Sequence, residues 1–494
     1  MDVPAGWRQR LRVVLMLCAA TAASSSAQTF TSLASFNITD GDSPFFAPLV
    51  QGTDGNLYGT AENGGTSDNC SGGCGTIFKI TPLGVLTTLH SFDSTDGRYP
   101  QAGLVLATDG SMYGATELGG AHGDGVIFRV IDGKLSVLYN FCAQAGCLDG
   151  NGPNGLVQAT NGDFYGTTVA GGATGDGTIY KITPAGALST LYSFSGTDGS
   201  KPIGALIQAT DGNLYGTTTY GGTNGGFGTV FKISLGGTLT SLHSFEGTDG
   251  AYPQSGLVQA SNGKFYGTTF QGGPTNSCGP YGCGTVFQVT AGGDLATLYG
   301  FCAQANCADG KYPVAGLTQA TDGNLYGIAG NGGAREGEGT IFQITLTGSL
   351  TTLYSFCATG FPCTGGFDVD ATLIQGTDGN LYGTSGEGGS TNNPACYFGA
   401  SSDGCGTVFS LSLGLGSFVT TLPHLGHVGA VVKILGTDLT GATSLRFNGT
   451  PAVFTVVSAT EISTTVPAGA TTGRVQVTTP GGALFSGGPF VVRP

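Results

Sequence analysis

The chain is short of charge. Of 494 residues only 17 are Lys or Arg and 31 Asp or Glu, where about a quarter would be usual. With a formal net charge of −14, the few basic residues give no patch of the kind that nucleic acid or an anionic membrane requires. There is one Trp, Trp7, with 3 Met and 5 His. The sequence contains no H-E-x-x-H, no G-x-S-x-G elbow and no G-x-x-x-x-G-K-[ST] loop, so it spells none of the zinc-hydrolase, serine-hydrolase or P-loop chemistries. After the N-terminus no apolar run approaches 18 residues, which excludes a helical span of a bilayer. Proline is limited to 20 and there is no Gly-X-Y period, so the 91 Gly do not make a collagen. Disorder is excluded by 39% hydrophobic and 10% aromatic content, which is enough apolar surface to fold. A turn-dense β protein is what remains.

Residues 1–27 read as a secretory signal peptide: Arg8, Arg10 and Arg12 precede an apolar stretch from Val13 to about Ala23, and Ser25-Ser26-Ala27 offers a cleavage site. Cys18 follows Leu17 rather than a small residue, which favours simple cleavage over a lipid anchor. Export is therefore expected, and the mature chain is more acidic still.

A motif [DN]-G-x-[LFM]-Y-G recurs with its Tyr at Tyr58, Tyr113, Tyr165, Tyr215, Tyr266, Tyr326 and Tyr382. A second, G-[TV]-[IV]-[FY], ends at Phe78, Phe128, Tyr180, Phe231, Phe287, Phe342 and Phe409, and a third ends at Phe36, Phe92, Phe141, Phe194, Phe245, Phe301 and Phe356. Each unit reads as four short strands, a to d, separated by Asp-Gly and Gly-Gly turns where glycine supplies the positive φ. Seven such units predict an all-β fold, a seven-bladed β-propeller over residues 28–412. The third motif has its first copy, in TFTSLASF, ahead of the first Tyr motif and none after the last. That N-terminal run would supply the missing fourth strand and close the ring. Loops b–c and crossings d–a then share one face, where function is expected.

Without Cys18, the 12 cysteines fall into close pairs: Cys70 with Cys74, Cys142 with Cys147, Cys278 with Cys283, Cys302 with Cys307, Cys357 with Cys363, and Cys396 with Cys405. In an exported chain such pairs read as disulfides. They coincide with the longer b–c loops and crossings, so they staple insertions on the loop face. Metal binding would want CxxC spacing and a reducing compartment.

A D-G-x-x-P motif marks six crossings, at Asp40, Asp96, Asp149, Asp198, Asp249 and Asp309, while the seventh has Asp368 and Asp370 in an irregular setting. A ring of carboxylates could take Ca²⁺, but Asp-Gly followed by Pro is ordinary turn chemistry, and no cofactor or metal site is assigned. His90 and His243 share a strand slot with Tyr139, Tyr192, Tyr299 and Tyr354. The once-per-unit Tyr and Phe read as core. Tyr99, Tyr252 and Tyr312 in crossings, and Tyr281 and Tyr397 in Cys-bearing loops, lie outside the strand motifs and are the ligand-binding candidates.

Residues 418–494 change pattern to alternating runs typical of a small Ig-like β-sandwich. G-T-D-L (436–439), F-N-G (447–449), V-P-A-G (466–469) and V-T-T-P-G-G (477–482) resemble the IPT/TIG family. That resemblance implies a surface or adhesion module; some members bind DNA, a role disfavoured here by the scarcity of basic residues. Residues 49–409 resemble the GloVer tandem-repeat extracellular proteins of bacteria through the D-G-x-L-Y-G-T, G-G, G-T-[IV]-F-K-I and T-L-Y-S-F elements. That resemblance implies export and a repeat architecture and transfers no catalytic residue. The chain ends at FVVRP without a sorting motif. The expected function is a monomeric, secreted or cell-surface, non-enzymatic binding protein whose partner is a glycan or an envelope or extracellular protein. The alternatives are a carbohydrate-active lyase or hydrolase and a ligand-free matrix protein.

Overall fold

The computed structural model describes residues 28–493 apart from 275–276, 335–336, 361–362, 390–395 and 397–403. The signal-peptide segment and Tyr397 lie outside these residues.

Consecutive four-stranded antiparallel sheets, propeller-like blades, occupy the chain from Thr29 to Ser412. In the fourth unit the strands are Ile207–Gln208, Leu214–Thr218, Thr229–Ile233 and Leu239–Ser244, each paired with the next. Strand a is shorter than the GALIQAT run reads. Only two residues join the ladder, because Gly204 and Ala205 instead line a central cavity and a Cβ at Gly204 would lie 2.4 Å from the Ser255 carbonyl carbon of the next unit. The c–d ladder slips by a bulge at the same place in several units, as between Val230 and Phe231 and between Val286 and Phe287, adding local twist. The N-terminal strand Thr29–Ser35 pairs antiparallel with Thr407–Ser412, completing the sheet of Ile374–Gln375 and Leu381–Ser385.

The Tyr-Gly motif has a packing cause. In every unit the strand-c aromatic lies over the motif glycine: a Cβ at Gly59, Gly216 or Gly383 would meet the ring of Phe78, Phe231 or Phe409 at 2.6, 2.7 and 2.5 Å. The motif Tyr turns toward the neighbouring unit, where Tyr215 stacks on Phe265 at 4.0 Å, and its hydroxyl donates to the turn Asp211 at 2.8 Å.

A belt of amides links the units. The strand-a Gln accepts from a backbone N–H of the preceding unit: Thr160 N to Gln208, Thr210 N to Gln259 and Thr321 N to Gln375. Thr377 N likewise donates to Gln51 at 3.0 Å, joining the last unit to the first. The second unit carries Leu106 at this position, so Thr53 has no such partner. Its carbonyl accepts instead from Thr460 Oγ1 of the C-terminal domain at 2.6 Å, and Leu435 packs with Leu106 and Met112.

That domain is a sandwich of two four-stranded sheets with a parallel pair, Leu425–His427 with Val491–Arg493. Its core holds Val432, Ile434, Leu445, Phe447, Ile462 and Val477. It rests on the a–b hairpin side of the repeats. Thr437 and Thr377 share a hydrogen bond of 2.9 Å, and Cβ atoms at Gly110 and Gly212 would meet the Lys433 ammonium and the Arg493 guanidinium.

Candidate functional site

The side opposite the C-terminal domain carries the b–c loops and the crossings. At one equivalent position each crossing has a residue at positive φ, namely Ser43, Tyr99, Gly152, Lys201, Tyr252, Tyr312 and Asp368, all between 51° and 64°. The preceding b–c loop holds this residue through its backbone, as when Tyr252 N donates to Phe227 O at 2.8 Å. Disulfides sit at three of these contacts. Cys70 is joined to Cys74, Cys278 to Cys283 and Cys396 to Cys405, and the carbonyls of Cys74, Cys283 and Cys405 accept from the N–H of Tyr99, Tyr312 and Ser43.

The other bonds, Cys142 to Cys147, Cys302 to Cys307 and Cys357 to Cys363, lie within crossings. Two of them close around short 3₁₀ turns, Ala145–Cys147 and Ala305–Cys307. The sulfurs of Cys278, Cys283 and Cys302 lie within 4.8 Å of one another, so two disulfides are neighbours.

The D-G-x-x-P carboxylates are turn caps. Asp149 and Asp309 are fully buried. Asp309 accepts from Ala303 N, Gln304 N and the Tyr299 hydroxyl at 2.9, 3.1 and 2.7 Å. Asp96 and Asp249 do the same with His90 and His243, each imidazole Nε2 at 2.7 Å. The shared Tyr/His slot is therefore a partner for this carboxylate, a coupling that appears in the sequence only as two aligned columns.

The entry segments of strand a surround a cavity of about 330 Å³. Each unit contributes one side chain two residues after the positive-φ position, apart from the first, where Phe46 follows Phe45: Phe46, Gln101, Asn154, Ile203, Gln254, Val314 and Asp370. Asp370, the irregular seventh-crossing residue, thus faces the cavity. Burial and then the neighbouring Asp368 charge push its carboxyl up to about 7. Burial raises Asp42 to about 6 against hydrogen bonds from Ser43, and it also raises Glu62, Glu117 and Asp368. The Asp42 and Glu117 charges add to the rise at Glu62, while Arg98 opposes the rise at Glu117.

The rim is chemically divided. The first, second and seventh units bring Asp42, Glu62, Glu117, Asp368, Asp370 and Glu387 with Arg98, whereas the corresponding positions of the fourth to sixth bring Lys201, Tyr220, Tyr252, Phe270, Lys311 and Tyr312. Of the tyrosine candidates, Tyr99, Tyr252 and Tyr312 share the positive-φ position and are half-buried, and Tyr281 is 60% exposed. Tyr220, which the sequence reading did not single out, is 44% exposed. It sits at the end of strand b, directly after a core Thr, and only the backbone bridge to Ser200 places it on the rim.

Among solved structures, the fold is similar to a virginiamycin B lyase from Staphylococcus aureus, at 14% identity over 78% of this chain and 99% of that one, with a TM-score of 0.49. It is also similar to the extracellular domain of a putative hybrid two-component system from B. thetaiotaomicron, at 12% identity over 95% of this chain and 60% of that one, with a TM-score of 0.48. At such identities and scores these likenesses say nothing about ligand or activity. No curated protein matches. The Gloeobacter/Verrucomicrobia repeat model matches residues 20–148, 144–279 and 273–398, and the IPT/TIG domain model matches residues 421–492. The chain belongs to the Gloeobacter/Verrucomicrobia repeat family and carries an IPT/TIG domain at its C-terminal end.

Proposed function

We propose that this is an exported, non-enzymatic binding protein. Its repeats form a closed seven-bladed ring, and its disulfide-held loop face takes a glycan. The observation that carries this reading is the asymmetry of the ring. The a–b hairpin side is covered by the C-terminal domain through Thr53, Thr377 and Leu106, while the other side keeps the cavity mouth, the aromatic rim and the disulfides. Loops fixed on a rigid β scaffold are the usual place for recognition. Aromatic faces beside amides such as Gln101, Asn154 and Gln254 suit the alternating apolar and hydroxylated faces of a sugar.

The test is a glycan and metal screen on the full-length protein under oxidising and reducing conditions. Saturable glycan binding that is lost on reduction, with the folded β signal retained, supports the reading. Binding that is indifferent to reduction counts against the disulfide-held face, and no binding under either condition favours a matrix protein. A carbohydrate-active enzyme is the second reading, favoured by one observation: a cavity-facing acid, Asp370, raised to about 7, as a general acid would need. Turnover on a polysaccharide panel, abolished in Asp370→Asn, would establish it.

A further inference from the structure

We infer that the ligand is an anionic polysaccharide, one bearing uronate carboxylates, bound across the rim of the fourth to sixth units. This rests on the glycan reading of the loop face and gives it a chemistry and a place. Two aromatic pairs stand side by side in chain order on this half of the rim. Tyr220 and Tyr252 have centroids 5.3 Å apart, and Phe270 and Tyr312 are 5.2 Å apart. Each pair carries an ammonium: Lys201 Nζ is 5.5 Å from the Tyr220 ring centre and Lys311 Nζ is 5.8 Å from that of Tyr312.

In a chain so poor in basic residues, cations at two of the rim's aromatic pairs are a local departure from the overall charge. Neither lysine is in an ion pair among the described residues, and the positions that carry Asp42, Glu62, Asp368, Asp370 and Glu387 in the first and seventh units hold no carboxylate in these three. A ring face that stacks on the aromatics would bring an equatorial carboxylate beside an ammonium, a charge-assisted contact that a neutral sugar cannot make. The opposite half of the rim repels such a chain. Asp42, Glu62, Glu117, Asp368 and Asp370 lie there, and above about pH 7, where even Asp370 ionises, their charge opposes an anionic chain. That repulsion confines a polyanion to the lysine side and sets its path.

The experiment is equilibrium binding of the full-length protein to polygalacturonate, dextran and chitosan at two salt concentrations, repeated for Tyr220→Ala and Lys201→Gln. Both substituted side chains are rim groups outside the core, so an unchanged melting temperature certifies the fold. The expected result is uptake of polygalacturonate alone, weakened at least about tenfold by Tyr220→Ala and several-fold by Lys201→Gln, with a shallower salt dependence in the latter. Uptake of dextran or chitosan in place of polygalacturonate would overturn the anionic assignment and leave the glycan reading standing. Polygalacturonate binding unaffected by both substitutions would overturn the location, and no binding to any of the three would overturn this inference. Failure on the wider glycan panel as well would overturn the glycan reading itself.

Discussion

Gly216 has no room for a side chain: a Cβ there would meet Phe231 Cζ at 2.7 Å and Leu206 Cδ2 at 2.8 Å. Gly263, in a hairpin turn, has open space and only a positive φ of 80° to protect. Gly216→Ala is therefore expected to lose roughly 2–3 kcal/mol by overpacking and Gly263→Ala about 1 kcal/mol by backbone strain, read by denaturant unfolding. Asp370 gives a pH signature. Its folded carboxyl titrates near 7 and its unfolded one near 4, so the folded state binds more protons between those values. The stability that this group contributes is fullest below about pH 4 and is lost as pH rises toward and past about 7. Asp370→Asn removes that decline. The variant should gain roughly 2 kcal/mol at pH 8, the full shift being discounted by about half for the open cavity, and gain nothing at pH 4. An equal gain at both pH values would show that the carboxyl is not held in its neutral form.

At the scale of the strand, Thr29–Ser35 completes the last four-stranded sheet of the repeats. Phe30 stacks on Tyr354 at 4.0 Å and packs edge-on against Phe356 at 5.8 Å, while lying 5.2 Å from Phe409. It thus bridges the sixth and seventh units from the N-terminal strand. Phe30→Ala is expected to lower stability by roughly 3 kcal/mol. A change below about 0.5 kcal/mol, the range of an ordinary surface substitution, would mean that the strand does not pack there in solution. The elements themselves were legible in sequence because turn chemistry and aromatic spacing repeat: Asp211-Gly212 before Tyr215 and Gly228 before Phe231 both mark real strand edges. The length of strand a was not legible. An apolar run such as GALIQAT looks the same whether it joins a ladder or lines a cavity, and only the contact of Gly204 with Ser255 distinguishes the two.

For the whole molecule, departures from the repeat carried more information than the repeat. Leu106 breaks the Gln belt where Leu435 docks, and Asp370 replaces an apolar or amide side chain at the cavity. The C-terminal domain was visible in sequence, but its seat on the hairpin side was not, since Thr53, Thr377 and Thr460 are common surface residues until the fold brings them together. The candidate site was half legible for the same reason. Loop placement and cysteine pairs could be read from spacing, whereas Tyr220 and the division of charge around the rim depend on how the units are arranged in space. Uptake of ligand on the loop face, away from the hairpin face, is tested most directly by measuring glycan-panel affinities for the full-length protein, Tyr220→Ala on the loop face and Lys264→Ala on the hairpin face. The expected result is at least about tenfold weaker binding for Tyr220→Ala and less than about twofold change for Lys264→Ala; a loss confined to Lys264→Ala would contradict it.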